Sequence, residues 1–254
     1  MPTGDLSDSS PLPSESRGAM PIGEHLRELR RRLVVLVVAL AVAGTTAFLV
    51  YPHILGILRA PYCQVTKHCQ LYVTGPLDGL SLRLKIATYG GVFLALPVIL
   101  WEAWRFVTPG LHRRERRLAI AFVATSFVLF SFGVALAYLT FPHALRFLGA
   151  VGGPSLHQLY GPNQYLSLLV AVMTAFGLTF EFPVVLVGLE LAGVLEPDAL
   201  ARQRRWAMVG IVVVAAIVTP SGDPFSMLAL ATPLYVFYEA SIVGGRIAQR
   251  RATR

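Results

Sequence analysis

Charge, and lysine in particular, is scarce in this 254-residue chain. Only 14% of the residues are charged, against about 25% in an average soluble protein, whereas 55% are hydrophobic. A soluble core cannot accommodate this surplus of apolar side chains. Lysine occurs only at Lys67 and Lys85, so there is no G-x-x-x-x-G-K-[ST] loop, and ATP hydrolysis by a P-loop is excluded. The H-E-x-x-H motif of zinc proteases is absent as well, and no enzyme is predicted.

Long uncharged runs alternate with clusters of arginine along the chain. A helix of about 20 apolar residues covers a hydrocarbon core of about 30 Å. Four predominantly apolar spans are long enough: residues 33–51, 85–104, 118–141 and 164–189. Two further runs, 206–218 and 225–238, give only about 20 Å each and form either a re-entrant hairpin or two short spans. The sequence therefore predicts an all-α integral membrane protein, and we favour six transmembrane helices, the last two short.

The distribution of basic residues predicts how these helices are oriented. With six spans, 17 of the 22 basic residues fall on one side, in the two tails and in the loops 105–117 and 202–205. The other five are Arg59, Lys67, Arg83, Lys85 and Arg146. Because the basic side stays in the cytoplasm, both termini are predicted to be cytoplasmic. A hairpin that did not cross would give the same charge count, so both arrangements stay open.

Composition divides the chain into three segments. Residues 1–20 are rich in Ser, Pro and Asp and lack an apolar core, so we expect a disordered cytoplasmic tail and not a signal peptide. Residues 21–246 form the membrane domain, and residues 247–254 form a basic cytoplasmic tail. The net charge of +8 comes from these tails and loops, so it indicates topology and not a nucleic-acid partner.

Glu181 lies inside an apolar stretch, the segment 176–183 with the sequence FGLTFEFP. A charge at mid-membrane costs about 3 kcal/mol on insertion scales, so this side chain must face the bundle interior, a water-filled cavity or a partner. Three roles are open: a packing group kept protonated or hydrogen-bonded, a proton relay, and a polar dock for another helix. Pro183 removes a backbone hydrogen bond, so the helix is expected to open locally.

Two more acids stand among arginines on the predicted cytoplasmic side. Glu28 lies in the segment 25–33 (HLRELRRRL) and Glu115 in the segment 113–117 (RRERR). The structural interpretation is a solvated charge run in which Glu28 pairs with Arg32 along the helix. The functional interpretation is a pair of carboxylates for an arginine-bearing ligand, because a carboxylate accepts a guanidinium bidentately.

Four residues near the loops are assigned structural roles. Asp223 precedes Pro224 in the pattern of a helix N-cap, and Asp78 ahead of the second span is interpreted likewise. Cys63 and Cys69 lie in a loop predicted to face outward, where an oxidising compartment would let them pair. Spacing alone does not report disulfide geometry, so two free thiols are the alternative.

Short motifs in a fixed order resemble the TatC family, the receptor core of the twin-arginine protein translocase. The resemblance extends over residues 22–246 and makes the predicted membrane domain a TatC-like one. The main motifs are the segment 25–33, Ala60-Pro61, Pro97, the segment 104–111 (WRFVTPGL) followed by Glu115-Arg-Arg, Phe180-Glu181 with Pro183, and Thr219-Pro220 with Asp223. The chain departs from the family at Met227, where many members carry a polar residue.

The resemblance implies a receptor for the twin-arginine signal peptides of folded cargo, and a core subunit of a Sec-independent translocase driven by the proton gradient. Its place would be the cytoplasmic (inner) membrane of a prokaryote, without a cofactor. Glu28 and Glu115 would bind the two arginines. Residues that would support this binding are Leu29, Arg30, Phe106 and Pro109.

The resemblance also implies partners within the membrane. Single-span subunits of the TatA and TatB type would contact Glu181, Phe180 and Thr219, and the chain would form a homo-oligomer within the complex. Pro61 would belong to a structural outer loop. The alternative function is a proton-coupled secondary transporter of a small solute that uses Glu181, but the sequence shows no inverted repeat, and Glu28 and Glu115 would then have no role.

Overall fold

The computed structural model describes residues 22–66, 69–73, 75–107, 116–153, 161–191, 195–219 and 222–252. Within these ranges the chain is entirely helical and contains no strand. The helices are α1 (Ile22–Leu49), α2 (Tyr51–Cys63), α3 (Asp78–Val107), α4 (Arg116–Val151), α5 (Pro162–Phe180), α6 (Phe182–Leu191), α7 (Pro197–Arg202), α8 (Arg204–Val218) and α9 (Pro224–Ala252). The predicted all-α class is confirmed.

Five stretches of helix are long and apolar enough to cross a membrane. They are Arg27–Leu49, Asp78–Trp104, Ile120–Val151, Pro162–Glu190 and Pro224–Arg246. The remaining apolar helix, α8, has 15 residues and rises about 22 Å. It is therefore shorter than the hydrocarbon core, and the sixth crossing stays a prediction.

The last helix is longer than the sequence analysis predicts. We expected a short span over 225–238, but α9 continues to Ala252 and its apolar part reaches Arg246. Glu239, which follows the predicted span, does not end the helix, because its carboxylate pairs with Arg204 at 2.8 Å. The prediction of two short final helices is thus wrong for the second of them.

Proline does not end α4 where the sequence suggests an end. The predicted span stops at Phe141, yet the helix passes through Pro142 and continues to Val151. Thr140, two residues before Pro142, donates to the Leu136 carbonyl at 2.9 Å, and Phe141 is 1% exposed against the neighbouring helices. Packing against neighbours and side-chain hydrogen bonds allow proline inside membrane helices.

The outer loop contains a helix, α2, that the sequence analysis does not predict. Its end is fixed by buried Pro61 and by tyrosine hydroxyls of the bundle, since Tyr165 donates to the Leu58 carbonyl at 2.7 Å and Tyr138 to the Ile57 carbonyl at 2.8 Å. Beyond it, Cys63 and Cys69 form a disulfide with their Cα atoms 4.7 Å apart. The loop is thus anchored to the bundle.

Asp78 is the first residue of α3 and not a residue ahead of it. Its carboxylate accepts the backbone N–H of Gly75 at 2.8 Å and the Asn163 amide at 3.0 Å. It therefore holds the turn before α3 and also ties the start of α3 to the start of α5. The predicted simple N-cap is only part of its structural role.

Helices α1 and α3 are in close contact through glycine. A Cβ atom added to Gly91 would lie 2.7 Å from the Gly44 Cα atom, closer than real Cβ atoms come. Most of α1 is otherwise exposed, since only 6% of its apolar window is buried. The contact with α3 therefore fixes the position of α1, and the rest of its surface is left for lipid.

Candidate functional site

The helix that carries Glu181 is interrupted at that residue. α5 ends at Phe180 and α6 begins at Phe182, while the Glu181 N–H donates to the Leu178 carbonyl at 3.1 Å. Proline at position 183 has no N–H for the preceding turn. The local opening predicted from the sequence is confirmed, and it sets Glu181 at a joint between two helices.

Polar neighbours satisfy the Glu181 carboxyl only in part. A side-chain hydrogen bond joins it to Ser126 of α4. Ser126 is fully buried and also accepts a hydrogen bond from Trp104 Nε1 at 3.4 Å. Glu181 Oε1 is buried and has no hydrogen-bond partner among the described residues. Because an unsatisfied buried oxygen costs about 1–3 kcal/mol, this carboxyl can accept a further donor with a gain in stability.

Apolar side chains next to Glu181 in the chain are exposed on the outside of the bundle. Leu178 is 62% exposed and Phe182 is 48% exposed. Phe180 lies in the core instead, with ring centroids 5.5 Å from Phe132 and 5.9 Å from Phe237. A helix approaching Glu181 would meet Leu178 and Phe182, and Phe180 supports this surface from within.

Thr219 and Asp223 lie in the connection between α8 and α9. The Thr219 hydroxyl is buried and donates to the Ala215 carbonyl at 2.7 Å. Asp223 accepts the Ser226 N–H at 2.7 Å, and Pro224 begins α9, which is the geometry of an N-cap. Gly222 has φ +60°, which favours glycine. This connection is therefore held by its own side chains.

The second acidic region lies where the start of α1 meets the end of α3. The Glu28 side chain is 47% exposed and forms an ion pair with Arg32, one turn further along α1. Arg32 also reaches α3, since its Nη1 donates to the Glu102 carbonyl at 3.2 Å. The structural interpretation of Glu28 as a partner of Arg32 is thus confirmed for the free protein.

The structure places the other residues predicted around Glu28 as follows. Leu29 and Arg30 are exposed at the start of α1. Glu115, Pro109 and the side chain of Phe106 lie outside the described residues, so the predicted pairing of Glu28 with Glu115 stays a prediction.

Glu102 is a buried acid that the sequence analysis overlooks. It is 8% exposed, and its Oε2 is buried without a hydrogen-bond partner in the described part of the chain. It falls inside the predicted second span, so the reasoning applied to Glu181 would have found it. The nearby Trp101 and Trp104 are typical of the membrane interface, so the sequence places this segment at the end of a span.

A third acidic region connects α7, α8 and α9. Arg204 pairs with Glu239 at 2.8 Å, and Tyr235 donates to the same carboxylate at 3.2 Å. Arg246 pairs with Asp198 at 3.0 Å. These contacts hold the start of α8 against the C-terminal half of α9.

The described residues form a bundle of membrane helices, with the acid Glu181 at a helix joint and the exposed acid Glu28 at one end. These features define a multi-pass helical membrane protein.

The chain belongs to the TatC family. A profile of the family described as Sec-independent protein translocase protein (TatC) matches residues 24–233. The TatC protein of Frankia casuarinae is 41% identical over 247 residues, which are 92% of this chain and 68% of that one. The protein of Deinococcus radiodurans is 34% identical over 252 residues, with 97% and 93% covered.

Solved structures agree with this assignment. A crystal structure of the twin arginine translocase receptor TatC superposes with a TM-score of 0.69 at 35% identity, and covers 89% of this chain and 99% of that one. The chain is therefore a multi-pass membrane protein of Sec-independent protein transport. None of these relatives supports the transporter alternative.

Proposed function

We propose that this chain is the receptor subunit of a twin-arginine translocase in the cytoplasmic membrane of a prokaryote. It binds the signal peptides of folded cargo and serves as the core of a complex that exports them with the energy of the proton gradient. Family membership supports this function. The observation that carries it is the match of the family model over residues 24–233, and in the structure the Glu28 side chain is 47% exposed and so accessible to a ligand.

In this proposal Glu28 and Glu115 bind the two cargo arginines at the cytoplasmic end of the bundle. Leu29 and Leu33, which are 47% and 60% exposed, offer apolar surface to the hydrophobic part of the signal peptide. Arg30, Phe106 and Pro109 shape the site around the two carboxylates. Arginine is preferred over lysine because only the planar guanidinium makes two parallel hydrogen bonds to one carboxylate.

We propose further that Glu181 receives a single-span partner subunit of the TatA or TatB type. A polar group on the partner helix would donate to the Glu181 carboxyl, whose Oε1 is unsatisfied. Leu178 and Phe182 would contact the apolar side chains of that helix. Phe180 and Thr219, both buried, would act by holding the helices that carry this surface, and assembly with further copies of the chain would follow.

Peptide binding to the purified full-length chain in lipid nanodiscs tests the receptor function. We expect Glu28→Ala and Glu115→Ala each to weaken an Arg-Arg signal peptide about tenfold or more, because each removes one charge-assisted contact. Glu196→Ala, which removes an exposed acid elsewhere, is the control and should leave affinity unchanged. If neither glutamate variant weakens the Arg-Arg peptide relative to a Lys-Lys peptide, the proposed receptor function is wrong.

A further inference from the structure

Arg32 occupies the carboxylate that the cargo is proposed to use. Its Nη2 pairs with Glu28, and its Nη1 donates to the main-chain carbonyl of Glu102 at 3.2 Å. The Arg32 side chain is only 11% exposed, whereas that of Glu28 is 47% exposed. A cargo arginine that approaches from water therefore finds Glu28 accessible but already bound to an internal guanidinium.

Glu102 lies on the face of α3 that meets α1. It follows Gly91, which contacts Gly44 of α1, by 11 residues, or about three helical turns, and so projects from nearly the same face. The bond from Arg32 to the Glu102 carbonyl confirms that the two helices meet at this level. The Glu102 carboxyl is buried, its Oε2 has no hydrogen-bond partner among the described residues, and it lies on the helix face that Arg32 reaches through the Glu102 carbonyl.

We propose that Arg32 moves between two carboxylates, Glu28 in the free receptor and Glu102 when a cargo arginine binds Glu28. The inference rests on the proposed signal-peptide function and adds Arg32 and Glu102 as specificity-determining residues. Replacing one guanidinium by another on Glu28 gains little by itself, because one ion pair is lost for each one formed. Transfer of Arg32 to Glu102 makes the exchange favourable, since it satisfies a buried oxygen that has no hydrogen-bond partner among the described residues.

The exchange also selects arginine over lysine. A cargo guanidinium can form two parallel hydrogen bonds with the Glu28 carboxylate, whereas Arg32 also uses its Nη1 for the Glu102 carbonyl, so a guanidinium is the group that displaces Arg32. An ammonium group is a single point charge, so it competes poorly with the internal arginine. Removal of Arg32 is therefore expected to admit lysine as well as to strengthen binding.

Binding of a synthetic Arg-Arg signal peptide to the full-length chain in nanodiscs tests the exchange. We expect Glu102→Gln to weaken binding of the Arg-Arg peptide about tenfold. Arg32→Gln should strengthen binding by a similar factor, and it should reduce the difference in affinity between the Arg-Arg peptide and a Lys-Lys peptide. In the Arg32→Gln background, Glu102→Gln should have no further effect, because the guanidinium it would receive is absent. Arg31→Gln removes an exposed positive charge next to Arg32 and is the matched control.

Equal weakening by Glu102→Gln with and without Arg32 would mean that Glu102 only adds negative charge, and the exchange would be refuted. No effect in either background would refute it as well. Arg32→Lys keeps the positive charge but cannot contact Glu28 and the Glu102 carbonyl with two separate nitrogens. It should therefore raise the affinity for the Arg-Arg peptide less than Arg32→Gln does. This variant keeps the test decisive if Arg32→Gln does not fold.

A measurement without peptide separates the exchange from the receptor function. In thermal unfolding, Glu28→Ala should cost little because Arg32 transfers to Glu102, whereas Glu28→Ala combined with Glu102→Gln should cost more than the sum of the two single changes. If the effects of the two single changes on stability simply add in the double variant, the proposed exchange is wrong. If the two changes are coupled in unfolding but the chain does not bind the Arg-Arg peptide, the exchange of Arg32 is supported and the proposed receptor function is wrong.

Discussion

At the scale of single residues, three acids differ in what surrounds them. Glu28 is exposed and paired, Glu102 is buried with an unsatisfied oxygen, and Glu181 is half-buried at a helix joint with one oxygen unsatisfied. We propose accordingly that Glu28 binds a cargo cation, that Glu102 receives the internal guanidinium of Arg32, and that Glu181 accepts a polar group of a partner helix. Burial and neighbours decide among these roles.

The dock at Glu181 leads to a prediction about partner subunits. A photoreactive amino acid at Leu178, beside the carboxyl, should cross-link to a single-span subunit in membranes that contain the whole complex. Glu181→Ala should remove most of that adduct, because the polar contact is lost, whereas Glu181→Gln, which can still accept a hydrogen bond, should retain it. The measurement is the yield of cross-linked product on a denaturing gel.

The control for this experiment is a probe at Val42 of α1, which is 64% exposed and lies away from the joint. It should give little adduct in any of these backgrounds. Equal yields from Leu178 and Val42, or a Leu178 adduct unaffected by Glu181→Ala, would argue against a partner at Glu181.

At the scale of helices, the α1–α3 contact positions the proposed peptide site. Gly44 and Gly91 let the two backbones approach, and the same contact places Arg32 beside Glu102 eleven residues further along α3. The large exposed surface of α1 leaves few other contacts to hold it in place. The geometry of the acids therefore depends on small residues far from them in sequence.

Adding one methyl group to this contact tests its importance. Gly91→Ala should lower the melting temperature and weaken Arg-Arg peptide binding, because the new Cβ would lie 2.7 Å from Gly44 Cα and the helices must separate. The cost is expected to be about 1–3 kcal/mol in unfolding free energy. Calorimetry and peptide titration measure the two effects.

Gly79→Ala is the matched control, because it makes the same change in the same helix where no atom lies within 4 Å of the added Cβ. It should be neutral or slightly stabilising, since alanine favours helix over glycine. A destabilisation of Gly79→Ala as large as that of Gly91→Ala would show that packing against α1 is not the cause.

At the scale of the whole molecule, the path of α8 bears on the number of crossings. Arg204 at its start pairs with Glu239 on the C-terminal half of α9, and its end joins the start of α9 through Thr219 to Asp223. Helix α8 therefore runs antiparallel to α9 along about the first half of α9. This arrangement favours the predicted sixth crossing with both termini in the cytoplasm.

Cysteine labelling in intact cells distinguishes the possible topologies. In a chain with Cys63 and Cys69 replaced by serine, a cysteine at Gly222 should react with an impermeant maleimide added outside, and a cysteine at exposed Gln203 should react only after permeabilisation. A re-entrant hairpin would bury position 222 and leave it unreactive in both cases. If the cysteine at position 203, and not the one at position 222, reacts from outside, the orientation of the chain is opposite to the predicted one.

Much of the site could be predicted from local sequence, and part of it could not. Glu181 stands out because an acid within an apolar run is costly wherever that run folds, and Pro183 marks the break in the helix. Glu102 also stands in a predicted span, but its contact with α1 through the main chain follows only from the packing of α1 on α3. Helices α4 and α9 are longer than predicted because packing compensates for Pro142 and the ion pair with Arg204 compensates for Glu239.

The sequence by itself determined that this chain is a helical membrane protein, because runs of apolar residues long enough to span a bilayer have few other stable environments. It also determined which acids are costly to bury. The tertiary structure alone decided that Arg32 also reaches the main chain of Glu102, since the two residues are 70 apart in sequence and approach only where α1 packs on α3. Contacts between helices depend on shape and depth, which no local pattern of residues specifies.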